Sequence, residues 1–420
     1  MWRNQLLPIA SWLAILFPPL LVIGGSLPDI AMSAIAVLFL THSAIEKNWD
    51  WCHKRWIQCL LLLWLYIIAR SLFAQFPSEA LHRSLPFGRY FIFAAAMAYW
   101  ILPDPQTHRR FFLSFIVTVL FIASDGLLQC LTGHDIIWRE PILQPDGNLR
   151  FTGAFRKPIL GIMLAWLAFP VCLYLLLSKS KMLFNKHAFL AGVASLLIVL
   201  ATIALSGERM ALLLALFGGA IAIVCMHMFW RKLLIALAAG ILMLALLTHI
   251  NPTVHQRQGN STLHTLTSWW DSPYGQLLKS DLQMVEINPI FGIGTNHFRF
   301  VCPTLYPNAS AAFLENVCKI HPHNIYMEWL IETGVIGFAL FMGFLIAVGA
   351  ECWKIWPFER KNPVFIGFLI AFVLRIWPIA STTGVFSNWG APPFWLVLGA
   401  LLVYTGRMKR ENHADTSIAV

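Results

Sequence analysis

The chain has 420 residues, 58% of them hydrophobic and 12% charged, with a mean hydropathy of +0.68 and a formal net charge of +10. A soluble domain carries roughly 25% charged residues, so this composition excludes an ordinary soluble enzyme, a disordered chain and a small disulfide-stapled scaffold. The basic excess does not call for nucleic acid as a partner, because basic cytoplasmic loops of a membrane protein account for it.

In chain order, apolar runs predict membrane-spanning helices at 7–24, 28–44, 57–77, 84–101, 110–131, 158–178, 187–206, 210–228, 232–249, 325–349, 362–380 and 390–406. At ~20 residues per crossing, the apolar content supplies about twelve spans. Unpaired backbone groups are not tolerated in lipid, so these runs are expected to be helices. The first run lacks a small-residue cleavage site and reads as span one. The expected fold is an all-α polytopic membrane protein of about 12 transmembrane helices, a single domain over 1–420.

Lys and Arg set the orientation. With the N-terminus in the cytoplasm, the inside segments carry Arg3, Lys47, Lys54, Arg55, Arg109, Arg110, Lys179, Lys181, Lys186, Arg231, Lys232, Lys354, Arg360, Lys361, Arg407, Lys409 and Arg410. These are 17 of the 30 basic residues, and every inside loop has at least one. Both termini are therefore expected in the cytoplasm.

Two segments on the other side exceed a simple connection, 132–157 and the larger 250–324 between spans nine and ten. Loops of such length are usually functional. Within the larger one, Leu277, Leu278, Leu282 and Val285 predict an amphipathic surface helix over 276–288, ended by Pro289, with Gly292 and Gly294 marking a turn. The eight cysteines form no CxxC pair and no metal-ligand spacing.

Residues 321–337 read HPHNIYMEWLIETGVIG. His323-Asn324, nine residues, then Gly334 and Gly337 resemble the signature of the O-antigen ligase and polymerase family. Upstream, INPIFGIGTNHFRF (287–300) resembles the segment preceding that signature, and SGERMALLLALFGG (206–219) resembles a loop between two central spans. LRFTGAFRKPILG (149–161) is similar to the first outer loop of the ligase branch, so the motifs occupy most of 149–345. The resemblance implies a multi-pass protein of the bacterial inner membrane with its active site facing the periplasm. It implies an inverting glycosyltransferase, without metal or cofactor, that moves polysaccharide from undecaprenyl pyrophosphate onto a sugar hydroxyl of lipid A–core. Members often have an arginine about fifteen residues before the proline of the NPxxGxG segment. Here that position falls near Tyr274, with Lys279 the nearest upstream cation, so the family's second phosphate-binding arginine is not carried over.

Such a transfer needs a base for the attacking hydroxyl and cations for the pyrophosphate. His323, where the long loop enters span ten, is the candidate base, since a neutral imidazole suits that role near pH 7; helix capping is the structural alternative. His321 is a candidate orienting group, and Asn324 suits an N-cap. Arg209, on the turn between two apolar helices, offers a bidentate fork to phosphate oxygens; an interfacial anchor or a pair with Glu208 is its alternative. Glu328 and Glu332 share a helix face with Asn324 and suit pairing with arginines or orienting His323.

Arg70, Arg89 and Arg375 fall inside predicted spans, where charge is costly and faces the bundle interior or a cavity. They are candidates for pyrophosphate or lipid-substrate binding or for structural ion pairs, with Asp125 and Glu332 as partners. Arg150, Arg156, Lys279 and Arg299 are further lipid-substrate candidates in the two loops, and Arg150 and Arg156 equally suit headgroup anchoring. Cys302 and Cys318 lie on the oxidising periplasmic side and are expected to form a disulfide, with two free thiols as the alternative. The expected partners are the undecaprenyl-pyrophosphate-linked donor, the lipid A–core acceptor and membrane lipids. The alternative inside the family is a polysaccharide polymerase. A twelve-span secondary transporter is the reading from another class; the long loop and the distinctive residues gathered at one face, not the midplane, speak against it.

Overall fold

A computed structural model describes residues 5–143, 149–177, 188–251, 254, 256, 267–318, 321–381, 384–387 and 389–417. The chain is almost entirely helical. Its principal helices are α1 (Leu6–Ile23), α2 (Leu27–Glu46), α3 (Arg55–Ser71), α4 (Pro77–Ser84), α5 (Gly88–Ala96), α6 (Pro105–Thr132), α7 (Leu160–Leu177), α8 (Ala188–Leu205), α9 (Arg209–Cys225) and α10 (Trp230–Ile250). There follow α11 (Pro273–Ile287), α12 (Phe298–Val301), α13 (Ala311–Val317), α14 (Ile325–Glu359), α15 (Pro363–Arg375) and α16 (Ala391–Ser417). One two-stranded hairpin, β1 (Ile142–Leu143) with β2 (Leu149–Arg150), interrupts them.

Among the described residues, six helices are long and apolar enough to cross a membrane: α1, α2, α6, α7, the segment His227–Ile250 containing α10, and α14. Four shorter apolar helices, Phe189–Leu205, Arg209–Cys225, Pro363–Arg375 and Ala391–Gly406, pack among them. The chain is thus a multi-pass membrane protein. The predicted span 84–101 is broken, because Pro86 starts a 3-10 turn at Leu85–Phe87 and the last turn, Met97–Ile101, widens to a π-helix. The predicted span 57–77 stops at Ser71.

Local chemistry explains the boundaries. Asp104 caps α6 by accepting from the Thr107 N–H (2.8 Å), Pro105 occupies its first position, and Gly133 at φ +85° closes it. Asn362 and Pro363 open α15 in the same way, as do Ser272 and Pro273 for α11. One apolar core runs through the bundle, with α7 central: it packs on α15, α8, α6 and α9. Helix α14 lies along α3, and α16 lies on α5 and α15. A separate small core of Leu277, Met284, Ile293, Phe298, Cys302 and Ile331 fastens α11 and the 293–302 segment to the start of α14.

The buried face of α11 is rotated from the predicted one. Leu277, Ser280, Asp281 and Met284 are buried, whereas Leu282 is 49% exposed. The helix packs one face on protein, which selects Met284 and Asp281 over Leu282.

Candidate active site

The two signature segments meet at a break in α14. Gly334 has φ +64° and ψ −172°, outside the helical region, and the NPIFGIG turn lies against it. Backbone bonds join them, from Val335 N–H to the Pro289 carbonyl (2.9 Å), from Ile293 N–H to Ile331 (2.9 Å) and from Gly294 N–H to Glu332 (3.0 Å). The Glu332 carboxylate also accepts from the Asn296 N–H. Arg70 donates to the carbonyls of Phe291 (3.1 Å) and Gly292 (2.6 Å), and Tyr66 Oη donates to the Thr333 carbonyl (2.8 Å).

This scaffold fixes the start of α14. Asn324 Oδ1 accepts from the N–H groups of Tyr326 (2.9 Å) and Met327 (3.2 Å), and its Nδ2 donates to the Pro378 carbonyl (2.6 Å). Asn324 is therefore the N-cap. Tyr326 Oη donates to the Ile376 carbonyl (2.6 Å), so the helix start is tied to the segment after α15 at two points. Immediately before the cap, His323 takes a left-handed conformation (φ +57°), which histidine tolerates better than most residues.

The turn sends His323 into a cavity of about 460 Å³. Arg209, the first residue of α9, lines the same cavity, together with Trp269, Tyr274 and Asp281 from the 269–281 region. His323 and Arg209, chosen from separate motifs, thus face one space. The His321 ring lies beside that of His323, tilted to it with centroids 4.2 Å apart, and a Cβ on Gly384 would meet both His321 and Glu328. Glu328 accepts from the Val385 N–H (3.0 Å). From one face of α14, Glu328 and Glu332 therefore hold the backbone at Val385 and at Asn296 respectively.

The turn that presents Arg209 is built by its neighbours. Glu208 accepts from the Gly161 (2.7 Å) and Ile162 (3.1 Å) N–H groups, so its carboxylate serves the start of α7. Burial pushes the Glu208 carboxyl up to about 7, opposed by those two N–H groups and by Arg150. Arg150 in turn donates to the Gly207 carbonyl (2.9 Å).

The other candidates lie elsewhere. Arg375 is buried with its guanidinium 4.0 Å from the Trp166 ring centroid and donates to the Gly390 carbonyl (3.2 Å). Arg89 pairs with Asp29 (3.2 Å); Asp125, considered as a partner, instead accepts from the Ile136 N–H (2.8 Å). Arg156 is exposed, and Lys279 sits over the exposed Trp270 ring at 5.8 Å. Arg299 donates to Asn296, and burial lowers its pKa. Cys302 and Cys318 are joined in a disulfide, with Cys302 wholly buried against α11.

Two residues emerge that sequence reasoning did not select. His297 is buried, its Nε2 accepting from the Phe76 N–H (3.0 Å) and its Nδ1 bonded to the Thr295 carbonyl (2.9 Å). Burial lowers its pKa, and with both nitrogens engaged it is a structural histidine. Asp281 is 2% exposed at the cavity wall. Its signal in the sequence is an acid at the i+4 position after Leu277 and three before Met284, inside a core-facing stripe.

A multi-pass helical protein in which an imidazole and a guanidinium share a cavity has the parts for group transfer from an anionic leaving group. Residues 193–342 match the family model described as O-antigen ligase, so this part of the chain is similar to that family. The matched segment runs from α8 past the break in α14 and includes Arg209, Asp281 and His323. No curated protein matches the chain.

Proposed function

We propose that the chain is an O-antigen ligase of the bacterial inner membrane. It transfers polysaccharide from undecaprenyl pyrophosphate to a sugar hydroxyl of lipid A–core, at the periplasmic face and with inversion. The observation that carries this reading is the cavity shared by His323 and Arg209. The guanidinium of Arg209 holds pyrophosphate oxygens, assisted by the positive end of α9, at whose first position it stands. His323 takes the proton of the acceptor hydroxyl as its oxygen attacks the anomeric carbon. The new C–O bond forms on the face opposite the leaving oxygen, the bond to phosphate breaks, and Arg209 stabilises the charge left on the pyrophosphate.

The same reading has about twelve crossings, with α3 and α5 added to the six long and four shorter apolar helices, both termini in the cytoplasm and 250–324 in the periplasm. Reporter fusions at Asn260 and the C-terminus would then give opposite signals. The direct test is transfer by the purified protein from undecaprenyl-pyrophosphate-linked polysaccharide. Product on lipid A–core supports a ligase. Product only on a second lipid-linked repeat unit makes it a polymerase, and no product with either acceptor defeats the transferase reading.

A further inference from the structure

Asp281 occupies a position where a soluble-core rule would put an apolar side chain. It projects from the same face of α11 as Leu277 and Met284, which are buried in the small core. Ser280, beside it, is buried too, but its hydroxyl meets Cys302 Sγ at 3.4 Å. Asp281 has no such contact: Oδ1 is buried without a hydrogen-bond partner among the described residues. A buried carboxyl without a partner destabilises the fold, and an apolar residue would pack there at no such cost. The carboxyl opens on the cavity that holds Arg209 and His323.

We propose that Asp281 is a substrate-binding residue that hydrogen-bonds a hydroxyl of the sugar seated in this cavity, against a wall formed by Trp269 and Tyr274. The inference rests on the transferase reading above. Those two rings stack nearly parallel, 6.0 Å between centroids and 8° between planes, and both line the cavity. Both residues give the cavity aromatic surface, whose π-density suits the C–H groups of a pyranose. Burial alone pushes the Asp281 carboxyl up to about 8, so at neutral pH it is an acid that both donates and accepts. A sugar hydroxyl matches that pattern. A pyrophosphate does not, because its oxygens only accept and its charge opposes any ionisation of the acid; the guanidinium of Arg209 is the phosphate group's partner.

The sugar is either that of the lipid-pyrophosphate donor or that of the acceptor, and steady-state kinetics with purified full-length protein separates them. Asp281→Leu removes both hydrogen-bonding functions and keeps the branched outline of the side chain, at a larger volume. It should raise KM for one sugar substrate roughly tenfold or more, since a site built to bond a hydroxyl discriminates strongly when its partner group is lost. Asp281→Asn still donates and accepts and should stay within about threefold of wild type. A rise in the KM of undecaprenyl-pyrophosphate-linked polysaccharide assigns the donor sugar, and a rise in that of lipid A–core assigns the acceptor. Unchanged KM for both in Asp281→Leu, or an equal fall in kcat in both variants at unchanged KM, overturns the proposal. Should Asp281→Leu fail to fold, Asp281→Ala, which also removes both functions, is read in the same way.

Tryptophan-fluorescence quenching by each substrate, measured without turnover, keeps the two claims apart. If the wild type binds a substrate but transfers nothing, the transferase reading falls. The Asp281 proposal then stands or falls on whether Asp281→Leu weakens that binding.

Discussion

Gly334 and Gly292 pack backbone against backbone: a Cβ on Gly334 would come within 2.6 Å of the Gly292 nitrogen and would overlap the Ile290 carbonyl. Both have positive φ, +64° and +74°. The contact links the glycines of two motifs that are about forty residues apart in the chain. It explains why both motifs need glycine: the break in α14 leaves N–H groups and carbonyls that the NPIFGIG turn satisfies only at backbone distance. The start of α14, with Asn324 and His323, is held in place by this junction.

Gly334→Ala should therefore destabilise the protein. Its φ and ψ lie in a region essentially restricted to glycine, where another residue costs roughly 1–3 kcal/mol before any overlap is counted. Gly349, in the same helix but with open space around its Cβ position, is the control; alanine there should be neutral or gain about 0.5–1 kcal/mol. Thermal unfolding of both variants in detergent checks this. Equal midpoints would remove the glycine junction from the list of what holds α14.

The disulfide closes a loop between residues 302 and 318, a separation of 16, five residues before His323. A loop of about fifteen residues is worth roughly 3 kcal/mol in the chain-entropy model. Replacing both cysteines by alanine should lower the unfolding midpoint by that equivalent, and reducing agent should do the same to the wild type. A wild-type midpoint indifferent to reductant, with peptide mapping showing the bond broken, would dispose of the stabilising role.

The sequence made some of this site legible and hid the rest for identifiable reasons. His323 and Arg209 stand in local patterns, a histidine before an N-capping asparagine and an arginine at a helix start, and those patterns survive into the cavity. Asp281 was hidden because α11 reads as a surface helix whose apolar stripe contains Leu282; only packing on Phe298 and Cys302 shows that the stripe runs through Asp281 instead. Arg70 and Arg375 were legible as costly intramembrane charges, but not as partners of carbonyls at 291–292 and 390, because such contacts depend on segments distant in sequence. Asp29 was overlooked as the partner of Arg89 because it sits in the first turn of α2, where an acid is explained by the helix end alone.

For Arg209, the fork geometry and the charge can be separated. Arg209→Lys keeps the charge and loses bidentate contact, and Arg209→Ala loses both. Removing one donor to a developing negative charge commonly costs ~3–4 kcal/mol of transition-state stabilisation. Arg209→Ala is therefore expected to be nearly inactive, with Arg209→Lys retaining a small fraction of the wild-type rate. Unfolding of both variants is measured beside turnover, and the turn keeps the Glu208 bonds to the start of α7 and the Arg150 bond to the Gly207 carbonyl in each. Turnover near wild type in Arg209→Ala would return this residue to the role of an interfacial anchor.

The histidine pair permits the sharpest test. His323 lines the cavity, whereas His321 touches its ring from the side of Gly384 and Glu328. If His323 is the base, His323→Ala should reduce transfer by ~10²–10⁴-fold, the usual contribution of base catalysis. A larger loss would mean that the imidazole also positions the acceptor. His321→Ala should cost less, since it removes a ring that orients its neighbour and not the group that receives the proton. The fold should survive both changes, because Asn324 supplies the helix cap and its bonds to Tyr326, Met327 and Pro378 involve neither imidazole. Transfer assays with the two purified variants decide the assignment. An active His323→Ala beside a dead His321→Ala would move the base to His321, and full activity in both would rule out base catalysis at this turn.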